Sequence, residues 1–161
     1  MKRTLFGKYN LFIDESVHII ASLLVYVASI ILGLDIFLAA VCFFSGIVID
    51  MDHFLNEIIA KLIGIKGYRG IMHGTGGYTI KILHGFDVAL AIAVASYLAS
   101  NNMIFALCLF ANLCLHEMWD FLVYPHTWKE LLFITRAASG FKPGRRGSFK
   151  GIFFDISSLK Y

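Results

Sequence analysis

Residues 36–53 are IFLAAVCFFSGIVIDMDH, an almost wholly apolar run that ends in two carboxylates and an imidazole. At about 1.5 Å of helix per residue the run approaches one bilayer crossing, so we predict a membrane span. Asp50, Asp52 and His53 then stand at the membrane boundary, where ionisable side chains are costly without partners. A metal ion is one such partner. The stretch therefore predicts a membrane fold and a metal site at one helix end.

The rest of the chain has the same apolar character. Of its 161 residues, 58% are hydrophobic and 16% are charged, and the mean hydropathy is +0.74. This is too apolar for an ordinary soluble domain, so we expect a single transmembrane domain over residues 1–161. Cys42, Cys108 and Cys114 lie in apolar runs without zinc-type spacing, and we interpret them as packing residues.

Four apolar segments have about the length of membrane spans. They cover residues 17–34, 36–52, 84–99 and 103–124. Short turns at 33–35 and 100–102 join them in pairs, because glycine, aspartate and asparagine there favour a change of direction. The pattern predicts an all-α integral membrane protein, built as a four-transmembrane-helix up-down bundle.

The polar segments set the expected orientation. Residues 54–65 and 127–137 carry apolar side chains at helical spacing and are predicted as interfacial amphipathic helices. The two short turns contain none of the 14 Lys and Arg residues. By the positive-inside rule the other end of the bundle, with both termini and the basic tail 138–161, is cytoplasmic. The N-terminus lacks the features of a signal peptide and is expected to be retained. We therefore expect a multi-pass protein of the cell (inner or plasma) membrane.

Each span carries possible metal ligands near its cytoplasmic end. They are His18, Asp50, His53, His84, Asp87, His116 and Asp120. Within a span they are three or four residues apart and can share a helix face, as in metal sites of helical bundles. A lone histidine near a helix end is more often a packing or interfacial residue, and the acidic stretch by itself could be a solvated helix end. The candidate ligands of the four spans lie at a similar depth and on one face of the bundle. This agreement favours a metal site, because ionisable residues inside membranes are usually functional.

The motifs in chain order are His18, Asp50-x-Asp52-His53, His84-Gly85-Phe86-Asp87 and His116-x-x-x-Asp120. In this order and placement they resemble the YdjM-like family of predicted membrane-bound metal-dependent hydrolases, over about residues 15–125. The family's His-Arg-Gly-x-Thr-His-Ser type element is only partly kept in residues 68–74. Either His73 or His84 could therefore take one ligand position, and we favour His84 for its position and its partner Asp87. The resemblance implies hydrolase activity.

The chemistry expected of such a site is hydrolysis at the membrane surface. One or two divalent ions suit a mixed set of histidines and carboxylates, Zn²⁺ first and Mn²⁺ or Fe²⁺ as alternatives. They would lower the pKa of a bound water and polarise an ester or phosphoester. Asp52 and Glu117 are candidates for a general base or for residues that orient the ligands. A lipid or lipid-linked substrate is expected, because the site would open among the lipid headgroups.

Other classes of protein compete with the hydrolase. The histidines of the four spans could hold haem in a redox protein, although the neighbouring aspartates would add nothing there. The chain could instead be a non-enzymatic metal-binding or structural membrane subunit. A transporter should place its ligands near the midplane rather than at one face. The basic cluster of the tail is interpreted as a contact with anionic membrane lipids, and no motif supports nucleic-acid binding.

Overall fold

The structure is a computed structural model that describes residues 6–52, 58, 62, 82–123 and 131–138. This part of the chain contains helices and turns and no strand. The helices are α1 (Phe6–Ile31), α2 (Ile36–Val48), α3 (Phe86–Ser100), α4 (Met103–Val123) and α5 (Phe133–Ala138). The all-α prediction is thereby confirmed for the described residues.

The central helix of the packing is α4. It contacts α1, α2 and α3, whereas α1 pairs with α2, and the short α5 lies against α3. The buried apolar core comes from both helical hairpins and from the turn that joins α1 to α2: Val25, Leu34, Cys42, Ile49, Ala89, Phe105, Cys108, Leu109 and Leu113. The three cysteines are free, two of them buried. The two hairpins are therefore held together through α4.

The turn between α1 and α2 follows from three consecutive residues. Gly33 has a φ of +89°, a conformation that glycine adopts without strain. Its N–H donates to the Ile30 carbonyl and the Leu34 N–H donates to the Ser29 carbonyl, both at 3.0 Å, which is the Schellman arrangement that ends a helix. The Asp35 carboxylate then accepts two N–H groups of the first turn of α2, at 2.9 and 3.0 Å. Chain reversal is thus specified locally.

The turn between α3 and α4 uses asparagine in the same two roles. Asn101 has a φ of +51°, and its N–H donates to the Tyr97 carbonyl at 2.7 Å. The Asn102 side chain accepts the Phe105 N–H at 3.0 Å and caps α4. Both turns lie where the sequence predicted them.

The helix boundaries differ from the predicted spans most clearly in the first two helices. The first helix begins at Phe6, well before residue 17, and α2 ends at Val48 rather than continuing to residue 52. Of the predicted interfacial helix 54–65, only residues 58 and 62 are described, and both are helical. Part of the predicted helix 127–137 is present as α5, and the tail after residue 138 lies outside the described residues.

Within the described residues, one helix is long and apolar enough to cross a bilayer, namely Met103–Phe121 of α4. The helices α2 and α3 have 13 and 15 residues and reach only about 20 and 22 Å, less than the roughly 30 Å of a bilayer core. Shorter apolar helices cover Glu15–Ile31, Ile36–Val48 and Phe86–Ser100. Length and composition therefore identify one candidate span, a test that the core helix of a soluble protein also passes.

Candidate metal centre

Five of the residues predicted from the sequence as ligands meet at one end of the bundle. They form two overlapping groups, His18 with His116 and Asp120, and Asp50 with His84 and His116, and in each group the donor atoms lie within 4.8 Å of one another. The contributions come from α1, from the residues just after α2, from the residues just before α3, and from α4. Asp50 is the most exposed member, with 18% of its side chain accessible. The cluster is buried and reaches the surface at Asp50.

A change in hydrogen bonding at the end of α2 makes a backbone carbonyl available to His116. The Asp50 N–H donates to the Ile47 carbonyl at 3.2 Å rather than to the Gly46 carbonyl four residues back. The Gly46 carbonyl accepts instead from Nδ1 of His116 at 2.9 Å. Because a carbonyl oxygen can only accept, Nδ1 carries a proton, and Nε2 presents a lone pair when the ring is neutral.

That lone pair faces two carboxylates. Nε2 of His116 lies 3.3 Å from Oδ1 of Asp50 and 3.9 Å from Oδ2 of Asp120. Among the described residues this buried nitrogen has these two ion-pair contacts but no hydrogen-bond partner. In the neutral ring the lone pair and the two carboxylate oxygens repel one another, so the arrangement favours a cation among them, either a proton on Nε2 or a metal ion.

A second imidazole is oriented in the same way by Asp52. Oδ2 of Asp52 accepts the N–H groups of Leu83 at 2.6 Å and of His84 at 3.4 Å, and it lies 3.3 Å from Nδ1 of His84. Since an ionised carboxylate only accepts, the proton of this ring is on Nδ1. Nε2 of His84 then lies 3.8 Å from Oδ1 of Asp50 and 3.7 Å from Oδ2 of Asp120. Carboxylate-oriented histidines of this kind are typical of metal sites.

The second candidate for a general base, Glu117, also binds backbone. Its Oε1 accepts the Gly85 N–H at 2.9 Å, and Gly85 has a φ of +146° that favours glycine. Three consecutive N–H groups, at residues 83–85, are therefore held by two buried carboxylates. Asp52 is fully buried. This geometry favours the orienting role of Asp52 and Glu117 over the general-base role.

The nitrogen-to-oxygen distances among four donor atoms are compatible with a coordination shell. Nε2 of His84 lies 3.8 and 3.7 Å from one oxygen each of Asp50 and Asp120, and Nε2 of His116 lies 3.3 and 3.9 Å from the same two oxygens. Tetrahedral ligands at zinc-to-nitrogen distances lie about 3.4 Å apart. The two imidazole rings are inclined by 73° with centroids 5.4 Å apart, so both can direct Nε2 to one point. The buried His and Asp groups could hold a metal ion.

The remaining histidine of the cluster, His18, stacks on His116. Their ring centroids are 3.7 Å apart and the rings are inclined by 17°, while Nε2 of His18 lies 3.3 Å from Oδ1 of Asp120. Two histidines that hold a haem lie on opposite faces of the macrocycle. Rings in direct contact leave no room for it, so this pair does not have the arrangement that haem requires.

Asp87 is in neither group of ligands. Its pairing with His84 was predicted from helical spacing, but α3 begins at Phe86, so His84 precedes the helix and does not share a face with Asp87. The Asp87 carboxylate instead accepts two N–H groups at the start of α5, at 2.8 and 2.9 Å. Its place in the structure is therefore an anchor for α5. His53 and the alternative ligand His73 lie outside the described residues, and their roles stay predictions.

Three residues that support the cluster were not singled out from the sequence. Nδ2 of Asn112 donates to the Cys42 carbonyl at 2.6 Å. A Cβ placed on Gly46 would lie 2.6 Å from that nitrogen and still closer to Oγ of Ser22, so α1, α2 and α4 approach closely at this glycine. A signal was available, because Asn112 lies one helical turn before His116 and Ser22 one turn after the histidine of α1. A polar residue that lies one helical turn from a candidate ligand, inside an apolar helix, should therefore also be treated as a candidate site residue.

Comparison with known proteins identifies no relative. No protein-family model, no curated protein and no solved structure matches this chain. The fold and the site together define a candidate metal centre. It is a buried cluster of histidines and carboxylates at one end of a helical bundle, and it could hold a metal ion. The function is therefore argued from the geometry of this centre.

Proposed function

We propose that the chain is a membrane-embedded metal-dependent hydrolase of the YdjM-like type, acting on a lipid or lipid-linked ester or phosphoester at the cytoplasmic membrane face. The observation that carries the proposal is a set of two imidazole nitrogens, each of which lies 3.3 to 3.9 Å from the same two carboxylate oxygens. Each imidazole is fixed through Nδ1 by an acceptor outside this set. These bonds fix the orientation of both rings and keep a proton on each Nδ1, as is typical of metal-binding histidines.

The distribution of polar and apolar side chains supports a membrane location with four spans. On α1, His18, Ser22 and Ser29 are buried. The large apolar side chains of the same helix face outward: Ile19, Ile20, Leu23, Leu24, Val27, Ile30 and Ile31. Exposed apolar side chains also line α2, α3 and α4. An apolar surface of this extent around a polar interior fits lipid better than water, and a bilayer accommodates short helices such as α2 by local thinning.

Charge supports the proposed orientation. The two turns contain no Lys or Arg, and the basic residues belong to the other end of the chain's up-down path. Under the positive-inside rule, the end that carries the cluster then faces the cytoplasm together with both termini. In this orientation Asp50, the most exposed member of the cluster, lies near the headgroups of the inner leaflet. The substrate class follows from this position.

The chain's own residues would prepare and shield the reaction site. A divalent ion, Zn²⁺ first among the candidates, would supply a Lewis acid and lower the pKa of water. Asp52 and the Gly46 carbonyl keep the protons of two histidines on Nδ1. Glu117 fixes the loop that carries His84 through the Gly85 N–H. Burial of these groups strengthens the field at the site, because little water screens it.

A non-enzymatic metal-binding membrane subunit would use the same cluster. Structural metal sites are closed by protein ligands, whereas catalytic sites keep a position open to water or substrate. The partial exposure of Asp50 within an otherwise buried cluster gives such an approach. Four protein donors would fill a tetrahedral zinc shell, as they do in a structural subunit, so the activity assay is the test that separates the two functions.

Metal content is the direct test of the site. Detergent-purified protein is analysed for bound elements, beside an Asp50→Ala, His116→Ala double variant and an Asp35→Ser control. The control removes a carboxylate at the opposite turn but keeps a residue that caps α2. We expect about one or more Zn, Mn or Fe per chain in the native and control proteins and none in the double variant. A native protein that stays free of metal after reconstitution would rule out the site.

Activity requires a second experiment. The reconstituted protein is mixed with phosphatidylethanolamine and phosphatidylglycerol vesicles, and released fatty acid and phosphate-containing products are measured with and without a chelator. We expect release that the chelator and the double variant both abolish and that Asp35→Ser retains. Stoichiometric metal binding without release from any lipid ester or phosphoester would support the non-enzymatic subunit instead.

A further inference from the structure

The carboxylate of Asp120 faces imidazoles on two sides. Its Oδ1 lies 3.3 Å from Nε2 of His18. Its Oδ2 lies 3.7 Å from Nε2 of His84 and 3.9 Å from Nε2 of His116. A carboxylate with one oxygen directed to each of two positions has the arrangement of a bridging ligand.

The stacked rings separate those two positions. An imidazole nitrogen directs its lone pair in the plane of its ring, so an ion bound to it lies in that plane. The rings of His18 and His116 are inclined by only 17° with centroids 3.7 Å apart. An ion in the plane of His116 therefore lies well out of the plane of His18. One ion cannot take both nitrogens with good geometry, although distance alone groups the two histidines with Asp120.

The stacking distance is compatible with a pair of ions, one in the plane of each ring. Metal ions in two-metal hydrolytic sites lie about 3.5–4 Å apart, and the stacked rings have their centroids 3.7 Å apart. His116 has one lone pair to give, because its Nδ1 is bonded to the Gly46 carbonyl. Once His116 serves one ion, His18 and Oδ1 of Asp120 are donors that lie together and can serve a second ion.

We propose that the cluster is a binuclear centre in which Asp120 bridges two divalent cations, one held with His84, His116 and Asp50 and the other with His18. The second position rests on the proposed function, since it presupposes the first. The described residues supply this second position with two protein ligands, His18 and Asp120. A phosphoester suits this centre better than a carboxylic ester, because two of its non-bridging oxygens can each reach one ion.

Metal titration of the chelator-stripped, detergent-purified protein tests the inference. The native chain should bind two equivalents of Mn²⁺, and its electron paramagnetic resonance spectrum should change from isolated to exchange-coupled Mn²⁺ between the first and second equivalents. His18→Phe keeps an aromatic ring on His116 but no ligand, and it should bind one equivalent, uncoupled. His18→Ala should do the same, and the control Asp35→Ser should bind two equivalents.

The outcomes separate this inference from the proposed function. One equivalent in both the native chain and His18→Phe would overturn the binuclear centre and leave the first position standing. Two equivalents in His18→Phe, or two uncoupled ions in the native chain, would place the second ion elsewhere and also overturn it. No binding by the native chain would overturn the metal site as a whole.

Discussion

Replacing Gly46 by alanine should weaken both the fold and the binding of metal. The added Cβ would lie 2.6 Å from Nδ2 of Asn112 and 3.1 Å from its Cγ, and closer still to Oγ of Ser22. Asn112 cannot easily retreat, because it is buried and donates to the Cys42 carbonyl at 2.6 Å. One of the three packed helices must therefore shift. Overpacking of this kind costs about 1–3 kcal/mol in free energy of unfolding.

The same shift should reach the metal ligands. The Gly46 carbonyl holds Nδ1 of His116 at 2.9 Å, so any movement of α2 away from α4 lengthens this bond and releases the ring. Loss of an outer partner of a metal-binding histidine lowers metal affinity about 10–100-fold. The variant should therefore show reduced stability in the metal-free protein and reduced affinity in the loaded one.

Two measurements on detergent-solubilised protein check this expectation. They are the thermal midpoint without metal and the Zn²⁺ affinity by competition with a chromophoric chelator. Gly33→Ala is the matched control, because a Cβ there meets nothing within 4 Å but the φ of +89° is unfavourable for alanine. It should lower stability by about 1–2 kcal/mol and leave Zn²⁺ affinity unchanged. Adding Ser22→Ala to Gly46→Ala should recover part of the loss. A Gly46→Ala protein with native midpoint and native affinity would refute the reasoning.

Three further outcomes are expected. Asp52→Asn should lower Zn²⁺ affinity about 10–100-fold in the same competition assay, because the amide holds His84 less firmly than a carboxylate does; native affinity would contradict the orienting role. Asp87→Ala should speed amide hydrogen exchange in α5 without altering Zn²⁺ affinity, since its carboxylate accepts two N–H groups there; a loss of metal would instead return Asp87 to the ligands. Free Zn²⁺ at 100 times its dissociation constant should stabilise the native chain by about 2.7 kcal/mol, seen as a raised thermal midpoint, and an equal rise in the Asp50→Ala, His116→Ala variant would place the stabilising ion elsewhere.

The sequence carried most of the information about the turns and the composition of the cluster. Gly33 and Asp35 specify their turn through local hydrogen bonds, and local rules suffice for such a feature. Asp50, His84 and His116 could be grouped because an up-down path places alternate helix ends side by side. Their common depth in the chain's apolar segments was visible before any contact was known.

What could not be predicted depends on exact helix boundaries and on close packing. Asp87 shares a helix face with His84 only if both residues are helical. The helix α3 begins after Gly85, so His84 lies outside it. The bond between the Gly46 carbonyl and His116 exists because the Asp50 N–H turns to Ile47. A periodic pattern in the sequence cannot predict such a change in the hydrogen bonding of one peptide group.

The distances along the chain between contacting residues have a consequence for the order of folding. His116 donates its hydrogen bond to a carbonyl 70 positions earlier, and His84 contacts an aspartate 32 positions earlier. Contacts between such distant segments form late, because closing long loops is costly before other contacts reward it. Uptake of an ion would therefore follow completion of the helical packing, and a bound metal would mark a correctly assembled chain.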